Sequence, residues 1–242
     1  MFQKTIPYEF YKKASKLLRF FSILKPVVHN FIWFGGRAIY YFWFNLTSHG
    51  TNNLPKSESY LIVANHVSHL DGSAIIAAQG IHSKDVYSLA AKDYFFNQPI
   101  KGWFCINFLN MIPIERNGNS LDYLHKCKEI LLQGKYILMF PEGTRSINGE
   151  LQSLKLGLGF LALKLNVSIV PVYVHGTYTA LPKGQHLPKK HPIHVRFGEP
   201  LKISLYKEKQ KTMSNRELYQ EIVNDVKSAI EQLRKETVNL NF

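Results

Sequence analysis

Five short apolar runs set the strongest limit on what this chain can fold into: 60–64, 86–90, 136–140, 168–174 and 193–197. Each is close to unbroken, with little sign of alternating polar positions. A strand with one wet face alternates, whereas a strand covered on both faces does not. Between these runs lie stretches of helical pattern at 72–80, 120–133, 155–166 and 214–236. Strand and helix in alternation build a mainly parallel central sheet flanked by helices, an α/β fold. Ligands of such sheets bind beyond the carboxyl ends of the strands. Motifs that directly follow an apolar run are therefore the places to look for chemistry.

The 242 residues, 45% of them hydrophobic, suffice to bury a core for one such domain with a small appendage. The appendage is expected at residues 1–48, with the α/β domain over 49–242. Residues 1–50 carry seven Lys/Arg and one acid, which gives +6, and they hold a dense aromatic run from Phe31 to Phe44. Pro26 divides this stretch into two expected helices, at 8–24 and 27–46. Basic residues beside Trp, Tyr and Phe are the composition of a helix lying in a lipid interface. A helical hairpin packed on the main domain fits the same residues, and one helix can do both. The longest apolar stretch in this region, 31–44, is interrupted by Gly35, Gly36 and Arg37. It is too short for a spanning helix, which needs about 20 residues. The expected location is therefore the cytoplasmic face of a membrane, peripheral or monotopic. The net charge of +13 points to an anionic partner. Two cysteines, Cys105 and Cys127, make no disulfide framework and fit a reducing compartment.

The run 60–64 leads straight into Asn65-His66-Val67-Ser68-His69-Leu70-Asp71. If residues 66–70 form a turn and a helix starts near Asp71, the carboxylate reaches the His66 ring, fixes its tautomer and raises its basicity. The other ring nitrogen can then take a proton from a hydroxyl. Asp71 acting only as a helix cap explains the same spacing. Ser68 lacks the surroundings of a nucleophile elbow. His66, His69 and Asp71 do not make a metal set, because no partner cluster with ligand spacing accompanies them. The run 136–140 leads into Pro141-Glu142-Gly143-Thr144-Arg145-Ser146. Glycine beside a hydroxyl and an arginine suits phosphate, through close backbone approach and a bidentate cation, and Lys155 can add charge. A shorter run, Ile112-Pro113-Ile114-Glu115, ends at Arg116. No zinc-finger or RNA-binding signature accompanies the basic charge, so nucleic acid is not expected as a partner.

Taken in order, these segments resemble the glycerolipid acyltransferase family, whose best-known members are the lysophosphatidate acyltransferases. The motifs are Asn-His-x4-Asp at 65–71, an apolar strand ending in Arg116, Pro-Glu-Gly-Thr-Arg-Ser at 141–146, and the proline-containing strand Ile169-Val170-Pro171-Val172. The resemblance implies that His66 is the catalytic base and Asp71 orients it. It implies that Arg116, Glu142, Gly143, Thr144 and Arg145 bind the acceptor's phosphate, and that Pro171 lies near the acyl donor. The implied donor is acyl-CoA or acyl carrier protein, with no metal or cofactor. The implied acceptor is the sn-2 hydroxyl of lysophosphatidate; a lyso-ornithine lipid, another lysophospholipid or a glycolipid would suit the same chemistry. Asn110 and Glu115 depart from the family's usual glycine and aspartate, both near the acceptor side.

Overall fold

A computed structural model describes residues 27–115 and 120–239. The expected helix over 8–24 and Arg116 lie outside them. The described chain begins with helix α1 (27–42) and a short strand β1 (Thr47–His49). Then follow β2 (Tyr60–Ala64), α2 (Asp71–Ala78), β3 (Val86–Ala91), α3 (Lys92–Phe95), α4 (Pro99–Phe108) and β4 (Met111–Ile114). Next come α5 (Ser120–Leu132), β5 (Tyr136–Met139), α6 (Gly157–Leu165), β6 (Ser168–His175) and α7 (Thr177–Ala180). The chain closes with β7 (His194–Phe197), α8 (Ile203–Glu208) and α9 (Asn215–Val238).

The seven strands form one sheet in the order β1-β7-β6-β2-β5-β3-β4. From β6 to β4 every pairing is parallel; β7 runs antiparallel to β6, and β1 lies parallel to β7. The mainly parallel sheet is thus present, with a reversed pair at one edge. That edge includes β1, which spans the expected end of the appendage and the start of the α/β domain. The boundary expected between residues 48 and 49 falls inside this strand.

The unbroken apolar runs follow from what covers the sheet. Along β2, Tyr60, Ile62 and Ala64 face one core together with Tyr40 of α1 and Ala74–Ala78 of α2. Leu61 and Val63 face the opposite core, built with Cys127 of α5, Leu161 of α6 and Ile230 of α9. Successive side chains point to opposite faces, so a strand buried on both needs apolar residues at every position. Tyr40, Phe44 and Leu46 are buried within the first core, so α1 and its exit are part of the domain's interior. Among the described residues, no helix is long and apolar enough to cross a membrane.

Candidate active site

Parallel neighbours place their carboxyl ends side by side. Leu61 pairs with Ile137 and Val63 with Met139, so the segments leaving β2 and β5 emerge together. The expected histidine turn and the Glu-Gly-Thr-Arg segment therefore meet, although more than 70 residues separate them.

The turn 65–70 is held from three directions. Asn65 donates from Nδ2 to Val174 O at 3.0 Å and accepts from Val174 N–H at 2.8 Å, a side chain acting as one more rung of β6. Ser68 Oγ donates to Leu181 O at 2.7 Å. Buried and so engaged, it is not placed to act as a nucleophile. The third tie is Asp71. Its Oδ2 accepts from the backbone N–H groups of Val67 at 2.7 Å and Ser68 at 2.8 Å, and it lies 2.9 Å from His66 Nδ1. The two sequence readings of Asp71 are thus joined in one oxygen: it closes the turn and holds the ring. With Nδ1 facing the carboxylate, Nε2 is the nitrogen able to exchange a proton with a substrate. The ring stacks on Phe140, with centroids 4.1 Å apart.

Glu142 takes a position different from the one implied by the family motif. It is buried, its Oε1 accepts the His66 backbone N–H at 2.7 Å, and its Oε2 accepts both Gln152 N–H at 3.1 Å and Gln152 Nε2 at 2.8 Å. A carboxylate repels phosphate, and this one braces the backbone of His66 while the chain returns from Ser146 N–H to His66 O at 2.8 Å. Burial raises its pKa, and the donated hydrogen bonds pull the other way. Gln152, which also donates to Thr144 O at 3.0 Å, was not marked by any local pattern. Only the fold brings it to Glu142.

His66 lines a cavity of about 770 Å³ together with Gly143, Thr144, Arg145, Lys155 and Lys183. Gly143 has φ +73, and a Cβ there would sit 2.6 Å from Lys155 Nζ. The glycine therefore permits both the left-handed turn and the approach of the lysine. Lys183, which belongs to no motif, reaches back toward Arg145 O at 3.4 Å. Away from this cationic end, the cavity wall is mainly apolar, with Leu89, Met111, Leu158 and Leu161 among its residues, and Arg37 and Glu115 line it as well. His69 lines it too; its Nε2 lies 2.9 Å from the Tyr94 hydroxyl. Its pKa is lowered to about 4 by burial first and then by Arg145 and His66, so it is neutral at neutral pH. Among the described residues, no group of three or more His, Cys, Asp or Glu is placed to hold a metal ion.

Pro171, implied to lie near the acyl donor, does not line this cavity. It sits inside β6, opposite Val63, and its carbonyl accepts from Gly198 N–H at 2.8 Å. The two departures from the family pattern also find local reasons. Asn110 adopts φ +50, a conformation that glycine and asparagine tolerate best, and its side chain donates to Lys84 O at 3.0 Å. Glu115 forms an exposed ion pair with Lys92.

The site can therefore move a proton at His66, hold an anion beside it and shelter an apolar chain. Comparison with known proteins identifies the family. The acyltransferase family model matches residues 45–175, just over half of the chain. A chloroplastic 1-acyl-sn-glycerol-3-phosphate acyltransferase of Arabidopsis thaliana is 32% identical over 60% of this chain and 40% of its own length. The corresponding enzyme of Saccharomyces cerevisiae is 31% identical over 63% of this chain and 50% of its own. The matched stretch thus spans about half or less of these curated relatives. The crystal structure of the 1-acyl-sn-glycerophosphate acyltransferase PlsC from Thermotoga maritima superposes with a TM-score of 0.65 and 26% identity, over 93% of this chain and 89% of that one. Ordered motifs, sheet and relatives converge, and the chain belongs to the PlsC-like glycerolipid acyltransferase family.

Proposed function

We propose that this protein transfers a fatty acyl group from a thioester carrier, acyl-CoA or acyl carrier protein, to the sn-2 hydroxyl of lysophosphatidate. The observation that carries the reading is the His66–Asp71 pair at the cationic end of a mainly apolar cavity. His66 Nε2 removes the proton of the hydroxyl as its oxygen attacks the thioester carbonyl carbon. The tetrahedral intermediate collapses, the C–S bond breaks, and the departing sulfur takes the proton from His66. The products are an ester and a free thiol. Arg145 and Lys155, with Arg116, hold the acceptor's phosphate and set the hydroxyl against the base, which turns an encounter into a placed reaction. The relatives' names supply the acceptor; the cationic end and its apolar continuation suit a phosphate joined to an acyl chain.

The test is thiol release from palmitoyl-CoA, and from palmitoyl carrier protein, in anionic vesicles with and without lysophosphatidate. Acceptor-dependent release is expected, reduced by about 10²-fold or more in His66→Ala. Release with a different lysolipid but not lysophosphatidate would move the acceptor and keep the mechanism. No release with any acceptor and either donor would refute the reading.

A further inference from the structure

Helix α4 left no clear mark in the sequence pattern, and in the fold it presents an unusual surface. Ile100 is 84% exposed, Phe104 39% and Ile106 42%, while Gly102, Cys105 and Phe108 are buried. Ile100 and Phe104, four residues apart, share one face of the helix. A soluble surface scatters large apolar residues; it rarely lines them up on a helix that has no acid to balance them. The only charge on α4 is Lys101, whose Nζ donates to Tyr94 O at 3.0 Å and lies over the rings of Tyr94 and Phe95. An ammonium held against aromatic rings at the edge of an apolar helix face is the pairing of cation and amphipathic ring that suits a lipid boundary.

The same character continues across to α1, where Phe31 is 77% exposed and Phe42 86%. Two shared features place α1 and the α3–α4 segment beside one another. Ile32 and Trp33 of α1 line the main cavity together with Tyr94 and Phe95 of α3. His29 and Asn30 of α1 line a second groove together with Ile106 and Asn107 of α4. Lys84 stands in that groove, bonded to Asn30 Oδ1 at 2.6 Å and lying over the Phe34 ring. Exposed apolar residues thus stand on α1, which lines the cavity that holds His66, and on α4, which follows the cavity-lining α3 and shares the second groove with α1; Lys84 lies in that groove and Lys101 on α4.

We propose that α4 is a second membrane-contacting element, which together with α1 seats the cavity opening against an anionic lipid surface. It rests on the reading of this chain as a lipid-directed enzyme, and it goes beyond the basic, aromatic N-terminal stretch to which membrane contact is otherwise ascribed. Apolar side chains on α4 enter the headgroup region, and Lys84 and Lys101 meet lipid phosphates. An acceptor then reaches His66 without leaving the bilayer surface.

The test uses the full chain and phosphatidylcholine vesicles containing phosphatidylglycerol, with brominated lipid as a fluorescence quencher. The three tryptophans are Trp33, Trp43 and Trp103. A Trp33→Phe/Trp43→Phe variant reports from α4 alone, and Trp33→Phe/Trp103→Phe from the end of α1. Both are expected to be quenched by vesicles. Quenching at Trp43 with none at Trp103 overturns the α4 proposal and keeps membrane docking; no quenching at either, with no vesicle binding, overturns docking as a whole. Ile100→Ser/Phe104→Ser is expected to weaken vesicle binding at least about ten-fold, whereas Leu132→Ser/Ile147→Ser, at exposed positions elsewhere, leaves it unchanged. Equal binding by both pairs overturns the proposal. Thiol release measured with a short-chain, water-soluble lysophosphatidate follows the chemistry separately from docking, and an unchanged melting temperature establishes that each variant is folded.

Discussion

At the scale of residues, one oxygen of Asp71 does two jobs, and they can be separated. Asp71→Asn keeps an acceptor for the backbone N–H groups of Val67 and Ser68 but removes the negative charge that holds and supports the His66 ring. Transfer is expected to fall by about 10²- to 10⁴-fold with a small change in melting temperature. Asp71→Ala, which loses both jobs, is expected to unfold at lower temperature as well. Equal stability loss in the two variants would mean that the charge, not the cap, holds the turn. Gln152→Ala tests the brace behind the base. It removes a donor to the buried Glu142 carboxylate and the link to Thr144 O, for about 1–3 kcal/mol of stability. Because Gln152 holds the position of His66 through Glu142, kcat is expected to fall while KM for the acceptor changes little. A rise in KM alone would place Gln152 in acceptor binding instead. The His66–Asp71 pair was legible in the sequence because both partners lie within one turn. Glu142 was legible as a motif residue but not in its role, and Gln152 and Lys183 not at all, because their partners are set by which strands lie side by side.

At the scale of elements, legibility followed burial. Strands β2, β5 and β6 announce themselves because both faces are covered, so no polar residue interrupts them. Helix α4 escapes for the opposite reason: apolar on its exposed face as well as its buried one, it has no amphipathic period to detect. The three-residue β1 is too short to leave a pattern, and the reversed direction of β7 is set by pairing and not by its own residues. Helix α9 is the clearest of the set. The helical pattern expected over 214–236 matches it closely; in the structure Ser214 and Glu217 close a capping box, and Leu218, Ile222, Val226 and Ile230 make its buried stripe. It meets α6 at a glycine: a Cβ on Gly159 would lie 2.5 Å from Tyr219 Cα and 2.7 Å from Tyr219 O. These are backbone atoms of a packed helix and cannot swing aside. Gly159→Ala is therefore expected to push the two helices apart and lower stability by about 1–3 kcal/mol, in spite of alanine's better helix propensity. Denaturant unfolding measures it, and a stabilised Gly159→Ala would show that the α6–α9 contact yields without cost.

At the scale of the whole molecule, the reversed edge carries a pH dependence. Strand β1 joins α1 to the sheet through β7, with Thr47 N–H donating to Ile193 O at 3.0 Å and Thr47 Oγ1 lying 2.6 Å from His194 Nδ1. His194 and His175 stack with centroids 6.0 Å apart. Burial first, and then the fields of His175, His49 and His191, lower the His194 pKa to about 4. Burial also lowers His175, helped by His191 and Arg234, and His49, helped by Arg196. The unfolded chain takes up these protons near pH 6.5, whereas the folded chain resists until about pH 4 at His194. Between those values the unfolded state binds more protons, so stability is complete above pH 6.5 and is lost as pH falls toward 4. His69, lowered to about 4 at the cavity, adds to the loss in the same direction. The melting temperature is expected to drop on going from pH 7.5 to 4.5, and His194→Gln to shallow that slope while His69→Gln, far from the edge in sequence, shallows it independently. If the His194 variant keeps the full slope, the edge histidines are not its source. Because the strand they clasp leads directly from α1, loosening this edge at low pH is also expected to release α1 from the core before the parallel strands separate, which hydrogen exchange at the amides of Leu46 and Thr47, compared with those of β2, would detect as earlier loss of protection.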